Sequence, residues 1–273
     1  MSGEAAATRE FWDTVGGPAW VAQQDQLDDH LRPLTDATLR RITLGPGQRV
    51  LDVGCGAADF TFAVAAQVQP GGSVTGIDFA EPMLALARRR AAERAVPGVS
   101  FVAADIETWQ ADEPHDAAVS RLGVPPTATA VTSVRNALVP GGRFAFTCFR
   151  SALENQWMVV PTLAVMEVMP FDLPDPAAPS GPFALAGPDQ VRSLLGGAGF
   201  DGIELTPVDY QVEMSGADGA VDVVLSVGPA SAVMATASSE QNVQARQAIS
   251  HALAERGNRL ALAAWLVTAR RVR

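Results

Sequence analysis

The chain contains no lysine; all twenty of its basic residues are arginine. A Schiff-base lysine and a P-loop lysine are thereby excluded. Cysteine is scarce as well. Cys55 and Cys148 are the only two, too few for a zinc finger or a disulfide framework. Both fall in strand-like sequence and read as buried free thiols. Charged residues make up 18%, below the ~25% usual for soluble domains. Long apolar runs are missing too. The long uncharged stretch Val223–Ser239 is broken by Gly228-Pro229 and falls short of the ~20 apolar residues of a membrane span. Met1–Glu10 is small and polar, without the basic-then-apolar form of a signal peptide. A soluble, cytoplasmic protein with no membrane span is expected. Thirty acidic against twenty basic residues give a net charge of −10, which lacks the basic footprint of a nucleic-acid binder.

What is present is a long, largely apolar chain. Its 273 residues, 48% of them hydrophobic, can bury a sizeable core. No repeat and no clean linker divides them, so a single domain over 1–273 is expected. Phe11–Leu44 reads as helical, with Pro33 suited to the first turn of a second helix ending at Ile42. After Gly45-Pro46-Gly47 the pattern alternates. Strands are predicted at Arg49–Gly54, Ser73–Asp78, Val99–Ala104, Asp116–Ser120 and Arg143–Phe149. Helices are predicted between them at Phe60–Val68, Pro82–Arg94 and Ala128–Leu138, the last stopped by Pro140-Gly141-Gly142. This alternation argues for an α/β fold, a doubly wound Rossmann-like sheet with its strand C-termini on one edge. Beyond Phe149 the rhythm changes. Ala152–Met169 reads as an apolar helix, Pro170–Pro188 as a proline-rich loop, Asp189–Ala198 as a helix, Ile203–Met214 as a strand, Ala220–Arg256 as mostly helical and Ala263–Arg270 as a last strand. The division expected is a helical cap over 1–44, a ligand-binding core over 45–150, a substrate-covering insertion over 151–200, and C-terminal strands and helices over 201–273.

The chemistry concentrates in Val50-Leu51-Asp52-Val53-Gly54-Cys55-Gly56-Ala57-Ala58-Asp59. A strand followed by an acid and Gly-x-Gly lets the backbone turn sharply and approach a ligand. Asp78 ends the second predicted strand, where a carboxylate can accept both hydroxyls of a ribose. Asp105 ends the third, where it can accept from an adenine amino group. These acids and the glycine turn describe a nucleoside site. A dinucleotide fingerprint would place a third glycine at position 59, but Asp59 stands there and would face a pyrophosphate. Asp52 suits a cation. S-adenosylmethionine, with an amino group, a sulfonium and no phosphate, fits this charge pattern better than a nicotinamide or flavin.

On these residues the chain resembles the class I S-adenosylmethionine-dependent methyltransferases, and within them the ubiquinone/menaquinone-biosynthesis-type branch. The resemblance runs through Val50–Gly56, Gly76-Ile77-Asp78-Phe79-Ala80-Glu81-Pro82-Met83-Leu84, Ala104-Asp105, Asp116–Gly123 and Leu138–Arg143. It implies a seven-stranded sheet whose last strand, Ala263–Arg270, is antiparallel. It also implies roles: Asp52 near the methionine amino group, Gly54, Cys55 and Gly56 in the turn, Asp78 on the ribose, Phe79 and Met83 along the adenine or ribose. Asp105 and Ile106 would hold the adenine, and Ser120 and Arg121 would lie beside the methionine part and the acceptor. The likeness extends to Trp20 and Gln24 in the cap, which would close over the cofactor. It also reaches Glu154-Asn155-Gln156-Trp157 and Gly181-Pro182-Phe183, which places Trp157 and Phe183 at the acceptor. Two departures stand out: Ala58 replaces the usual third glycine, and Pro125-Pro126-Thr127 follows the fourth strand.

An apolar insertion rich in Trp157, Met158, Met166, Met169 and Phe183 points to an apolar or aromatic small-molecule acceptor. Methyl transfer to O, C or N is an in-line displacement whose acceleration can come from alignment. A hydroxyl or enolisable carbon acceptor also needs a base. His30 is the candidate, on a line with Trp20 and Gln23. His115 and His251 read as exposed, Arg88-Arg89-Arg90 as a solvated helix face, and no metal site is expected. Two alternatives stay open: a non-catalytic S-adenosylmethionine-binding module, and an enzyme that uses the same cofactor for a cyclisation. The oligomeric state is not indicated.

Overall fold

The computed structural model describes residues 9–173, 175, 178, 181–214, 217–226 and 228–273. Most of Met1–Glu10 and part of the Pro170–Pro188 loop therefore lie outside the described residues.

After a π-helical turn at Trp12–Gly16 come α1 (Gly17–Ala22) and α2 (Gln24–Ile42). The alternating region follows as β1 (Arg49–Val53), α3 (Asp59–Val68), β2 (Ser73–Asp78), α4 (Glu81–Glu93), β3 (Val99–Ala103), β4 (His115–Arg121), α5 (Ala128–Asn136) and β5 (Leu138–Phe149). Then come α6 (Gln156–Val168), α7 (Pro188–Gly197), β6 (Phe200–Glu213), α8 (Ala217–Ser226), α9 (Ser231–Met234), α10 (Ser239–Ala254) and β7 (Arg259–Arg271). The seven strands are ordered β3-β2-β1-β4-β5-β7-β6. β1 to β5 pair in parallel, and β7 runs antiparallel to both β5 and β6. This is the Rossmann-like sheet with an antiparallel last strand that the sequence predicts.

The strands are short and apolar because both faces are covered. One face packs Val50, Val74, Ala117, Val119 and Ala145 against Ile42, Phe60, Val64 and Val68 of α2 and α3. The other packs Leu51, Val53, Phe144 and Phe146 against Val131 and Val134 of α5 and Val191 and Leu195 of α7. A third cluster lies beyond the C-terminal end of β5. There Phe149 meets Val212, Met214, Leu260 and Leu262 from extended β6 and β7, Trp157 and Val165 of α6, Ile249 of α10 and Leu31 and Leu34 of α2.

Several boundaries differ from the sequence expectation. Pro33 lies inside α2, and the helical break falls at Gln23, whose φ is −110° and ψ 11°. Proline withholds one N–H from its helix, but the core-facing stripe of Leu27, Leu31 and Leu34 continues through it and holds the helix together. The Tyr210 hydroxyl also donates to the neighbouring His30 carbonyl at 2.8 Å. Pro140-Gly141-Gly142 does not precede β5 but lies within it. The pairing steps from His115↔Leu138 to Ala117↔Arg143, so these residues form a bulge, with Gly141 at φ 77°. His115 is buried: Nδ1 lies 3.2 Å from the Ala137 carbonyl oxygen and Trp109 packs against the ring. His251 is exposed. β7 is longer than expected, because Arg259–Ala263 continue past the end of β5 and pair with β6 alone; β6 starts earlier than expected, at Phe200, opposite Arg271.

Candidate active site

The turn leaving β1 holds two glycines in the left-handed region, Gly54 at φ 65° and Gly56 at φ 53°. A Cβ on Gly54 would lie 2.7 Å from Gly123 Cα, so the turns after β1 and β4 touch through backbone alone. A Cβ on Gly56 would meet the Met83 methyl at 2.8 Å. Ala58 stands at φ 73° just before α3, where a left-handed alanine costs about 1–2 kcal/mol. Leu122, also left-handed at φ 64°, ends β4 and turns its side chain toward the third apolar cluster. Ser120 ties these turns together, donating to the Val53 carbonyl at 2.7 Å and accepting from the Gly123 N–H at 3.1 Å.

Three carboxylates stand at or just past successive strand ends, as the sequence predicts. Asp52 is 1% exposed; its Oδ2 accepts from the Thr61 hydroxyl at 2.6 Å, while Oδ1 is buried without a partner. Burial pushes the Asp52 carboxyl up to about 7, against the downward pull of Thr61 and Arg121. Asp78 accepts from the Gly56 and Ala80 N–H groups, both at 2.9 Å, and burial raises its pKa as well. Asp105 accepts from the Glu107 N–H at 2.9 Å and lies 3.9 Å from the Arg9 guanidinium. Arg9 also stacks over Phe79, 5.2 Å from the ring centroid. Arg9, Asp13, Phe79, Glu81, Pro82 and Ala103 line an open groove of about 610 Å³ beside the ends of β2 and β3. Cys55 and Ile106 are buried, and the Cys55 thiol is pushed well up by its burial.

The cap side of this cleft is ionic. Arg121 donates to Asp28 (3.1 Å), Asp59 (3.0 Å) and Thr35 (3.1 Å). Arg90 donates to Asp28 at 2.9 Å and to the Ala57 carbonyl at 3.3 Å. Arg90 is therefore not part of a solvated face. It is 7% exposed, because it continues the buried stripe of Met83, Leu86 and Ala87 on α4. The Gln24 amide donates to Asp28, leaving Gln24 Oε1 buried without a partner. Sequence reasoning missed Asp28, Thr61, Arg90, Thr35 and Arg9. The available signal was a polar residue at helical spacing on an apolar stripe: Asp28 and Thr35 flank Leu27, Leu31 and Leu34.

Trp20 and Phe183 pack on the third cluster, and Trp12 lies 6.0 Å from Trp20. Trp157 is buried in that cluster, 5.8 Å from Phe149, with Nε1 unpartnered; Phe183 is 6.2 Å from Phe149. His30 is not on a continuous line with Trp20, since the helix is interrupted at Gln23. It faces the end of β6 near Glu213, its Nδ1 is buried and unpartnered, and burial lowers its pKa. Among the described residues no group of three or more His, Cys, Asp and Glu is placed to hold a metal. No helix among them is long and apolar enough to cross a membrane.

Residues 44–170 match the family described as "Methyltransferase domain". A demethylmenaquinone methyltransferase from Symbiobacterium thermophilum is 29% identical over 195 residues, covering 63% of this chain and 73% of that protein. A nocamycin O-methyltransferase from Saccharothrix syringae is 43% identical over 72 residues, 26% of each chain. Among solved structures, the YcgJ protein of Bacillus subtilis superposes with a TM-score of 0.59 at 16% identity, covering 88% of this chain and 98% of that one. Residues 44–170 thus resemble the S-adenosylmethionine-dependent methyltransferases, and the sheet order and glycine turn agree with that likeness. The residues present fit the cofactor of that class. Asp52 Oδ1 is a buried acceptor in need of a donor, which an ammonium supplies.

Proposed function

We propose that the protein methylates an apolar or aromatic small molecule, at O, C or N, and that the acceptor enters between the glycine turn and the third apolar cluster. The observation that carries this reading is the character of that cluster. Trp20, Leu122 and Phe183 lie at its surface, and Phe149 and Trp157 lie beneath. A nucleic-acid acceptor would need a basic face, whereas the arginines of the cleft are already paired with Asp28 and Asp59. Bound S-adenosylmethionine supplies an electrophilic methyl on a sulfonium whose leaving group is a neutral thioether.

This chain's own residues bind and align. Asp52 offers Oδ1 to the donor's ammonium. Asp78, already held by two backbone N–H groups, offers its remaining lone pairs to the ribose hydroxyls. Phe79, Met83, Asp105 and Ile106 flank the adenine. Gly54 and Gly123 keep the turns close enough for the backbone to line the methionine end. The cap, through Trp20 and Gln24, and the insertion, through Trp157 and Phe183, exclude water. Alignment of this kind is worth up to about 7–11 kcal/mol. Where the acceptor is a hydroxyl, His30 Nδ1 accepts its proton; burial keeps the ring neutral and that nitrogen has no other partner.

The test has two parts. Calorimetry with S-adenosylhomocysteine is expected to show binding, and Asp78→Ala to weaken it strongly, because two hydroxyls lose a charged acceptor. Unchanged affinity in that variant would remove Asp78 from the site. Incubation with S-adenosylmethionine and aromatic hydroxyl acceptors is expected to yield S-adenosylhomocysteine and methylated product in equal amounts. Tight binding without that product would favour a non-catalytic module.

A further inference from the structure

Asp28 is a buried carboxylate on α2, 6% exposed at its side chain, and it touches three partners at once. Its Oδ1 accepts from Arg121 at 3.1 Å and from the Gln24 amide, and its Oδ2 accepts from Arg90 at 2.9 Å. Arg121 comes from the end of β4 and is 10% exposed. It is stretched between Asp28 and Asp59, 3.0 Å away, with Thr35 taking a further N–H. Around the glycine turn, then, Asp28, Asp52 and Asp59 face Arg90 and Arg121: three carboxylates against two guanidiniums. Four of these five groups are paired. The fifth, Asp52, makes a single bond to Thr61 and keeps Oδ1 buried and free. Arg121 stands two residues beyond Val119, the β4 partner of Asp52, and so on the same face of the sheet, but its Nη1 and Nη2 groups donate to Asp28, Asp59 and Thr35. A guanidinium this close to an unpaired buried carboxylate would pair with it unless held elsewhere.

We infer that Asp28 is a positioning residue for the methyl donor: together with Asp59 it holds the Arg121 guanidinium off Asp52, so that Asp52 Oδ1 stays free for a ligand ammonium. Through Arg90 and the Ala57 carbonyl it also fixes the cap helix against the glycine turn. The inference rests on the donor site proposed above. It goes beyond it in assigning a role to a cap residue that need not touch the donor.

The experiment compares two probes. S-adenosylhomocysteine carries the amino-acid end; 5′-methylthioadenosine has the same nucleoside and lacks it. Wild type should bind both in calorimetry. Asp28→Asn keeps the shape and removes the charge that holds Arg121. It should weaken S-adenosylhomocysteine at least tenfold and leave methylthioadenosine within twofold. The double variant Asp28→Asn/Arg121→Met, which removes the released cation, should recover most of the lost affinity. If Asp28→Asn does not fold, as judged by a thermal melt, Asp59→Asn takes its place. It removes the other anchor of Arg121 and should act in the same direction. Equal weakening of both probes would mean that Asp28 only holds the cap together, and the inference would fall. An unchanged affinity for S-adenosylhomocysteine, or no recovery in the double variant, would overturn it too. Binding of neither probe to wild type would instead remove the donor site itself.

Discussion

At the scale of single residues, Asp52 couples the site to pH. Burial raises its carboxyl from 3.8 to about 7 in the folded chain. Between those values the native state holds a proton that the unfolded chain has lost, so stability falls as pH rises. The dependence levels off above about 7, where both states are ionised. The slope from this one group is at most about 1.4 kcal/mol per pH unit. Thermal melts without ligand between pH 5 and 7.5 should show the decline, and Asp52→Asn should make it shallower. Stabilisation by S-adenosylhomocysteine should run the other way, growing toward pH 7.5 as Asp52 ionises and can receive an ammonium. His30 is the second residue whose chemistry can be read directly. His30→Ala should lower turnover of a hydroxyl acceptor about 10²–10⁴-fold while leaving S-adenosylhomocysteine affinity unchanged. Normal turnover per folded molecule would assign the acceleration to alignment alone.

At the scale of elements, the junction between the sheet and the insertion depends on Asn155, which is fully buried. β5 last pairs with β7 at Phe149↔Ala264; just beyond it the Arg150 N–H still donates to the Ala263 carbonyl at 3.0 Å, but the Ala263 N–H needs another acceptor. Asn155 takes over: Oδ1 accepts from the Ala263 N–H at 3.1 Å, and Nδ2 donates to the Ala263 carbonyl at 3.0 Å. Asn155→Ala leaves the buried Ala263 N–H without its acceptor, while the Ala263 carbonyl keeps the Arg150 N–H. It should cost about 1–3 kcal/mol in chemical denaturation. The same scale shows where sequence patterns are legible. β1 and β2 are short runs built around Val50-Leu51 and Val74 to Ile77 and closed by glycine or acid, and their predicted and observed limits agree within a residue. The cap helix is less legible. Pro33 looked like a start, but tertiary contacts along Leu27, Leu31 and Leu34 outweigh one missing N–H. Arg90 looked solvated because it follows two other arginines. Only the position of α2 supplies the Asp28 that lets a guanidinium be buried.

For the whole molecule, the decisive feature is that one large apolar cluster, the third, lies beyond the C-terminal end of β5, while others pack against the faces of the sheet. β6 and β7 outrun β5 by the pairs Asp209↔Ala263 through Glu213↔Arg259, about 15–17 Å at strand rise. α6 and α10 close on that ribbon. Ligand binding should therefore tighten the cap and insertion more than the sheet. Hydrogen exchange with and without S-adenosylhomocysteine should show added protection in the Trp20–His30 segment and in α6. Protection confined to the strands would mean that neither element covers the site. The sequence by itself determined the alternating architecture, the glycine turn and the acids at three strand ends, because those depend on local periodicity and on residues adjacent in the chain. The network of Asp28, Arg90 and Arg121, the unpartnered Asp52 oxygen and the position of His30 against β6 were decided only by the tertiary structure. Their partners lie from tens to nearly two hundred residues apart in the chain, and no local pattern records which buried charge will meet which.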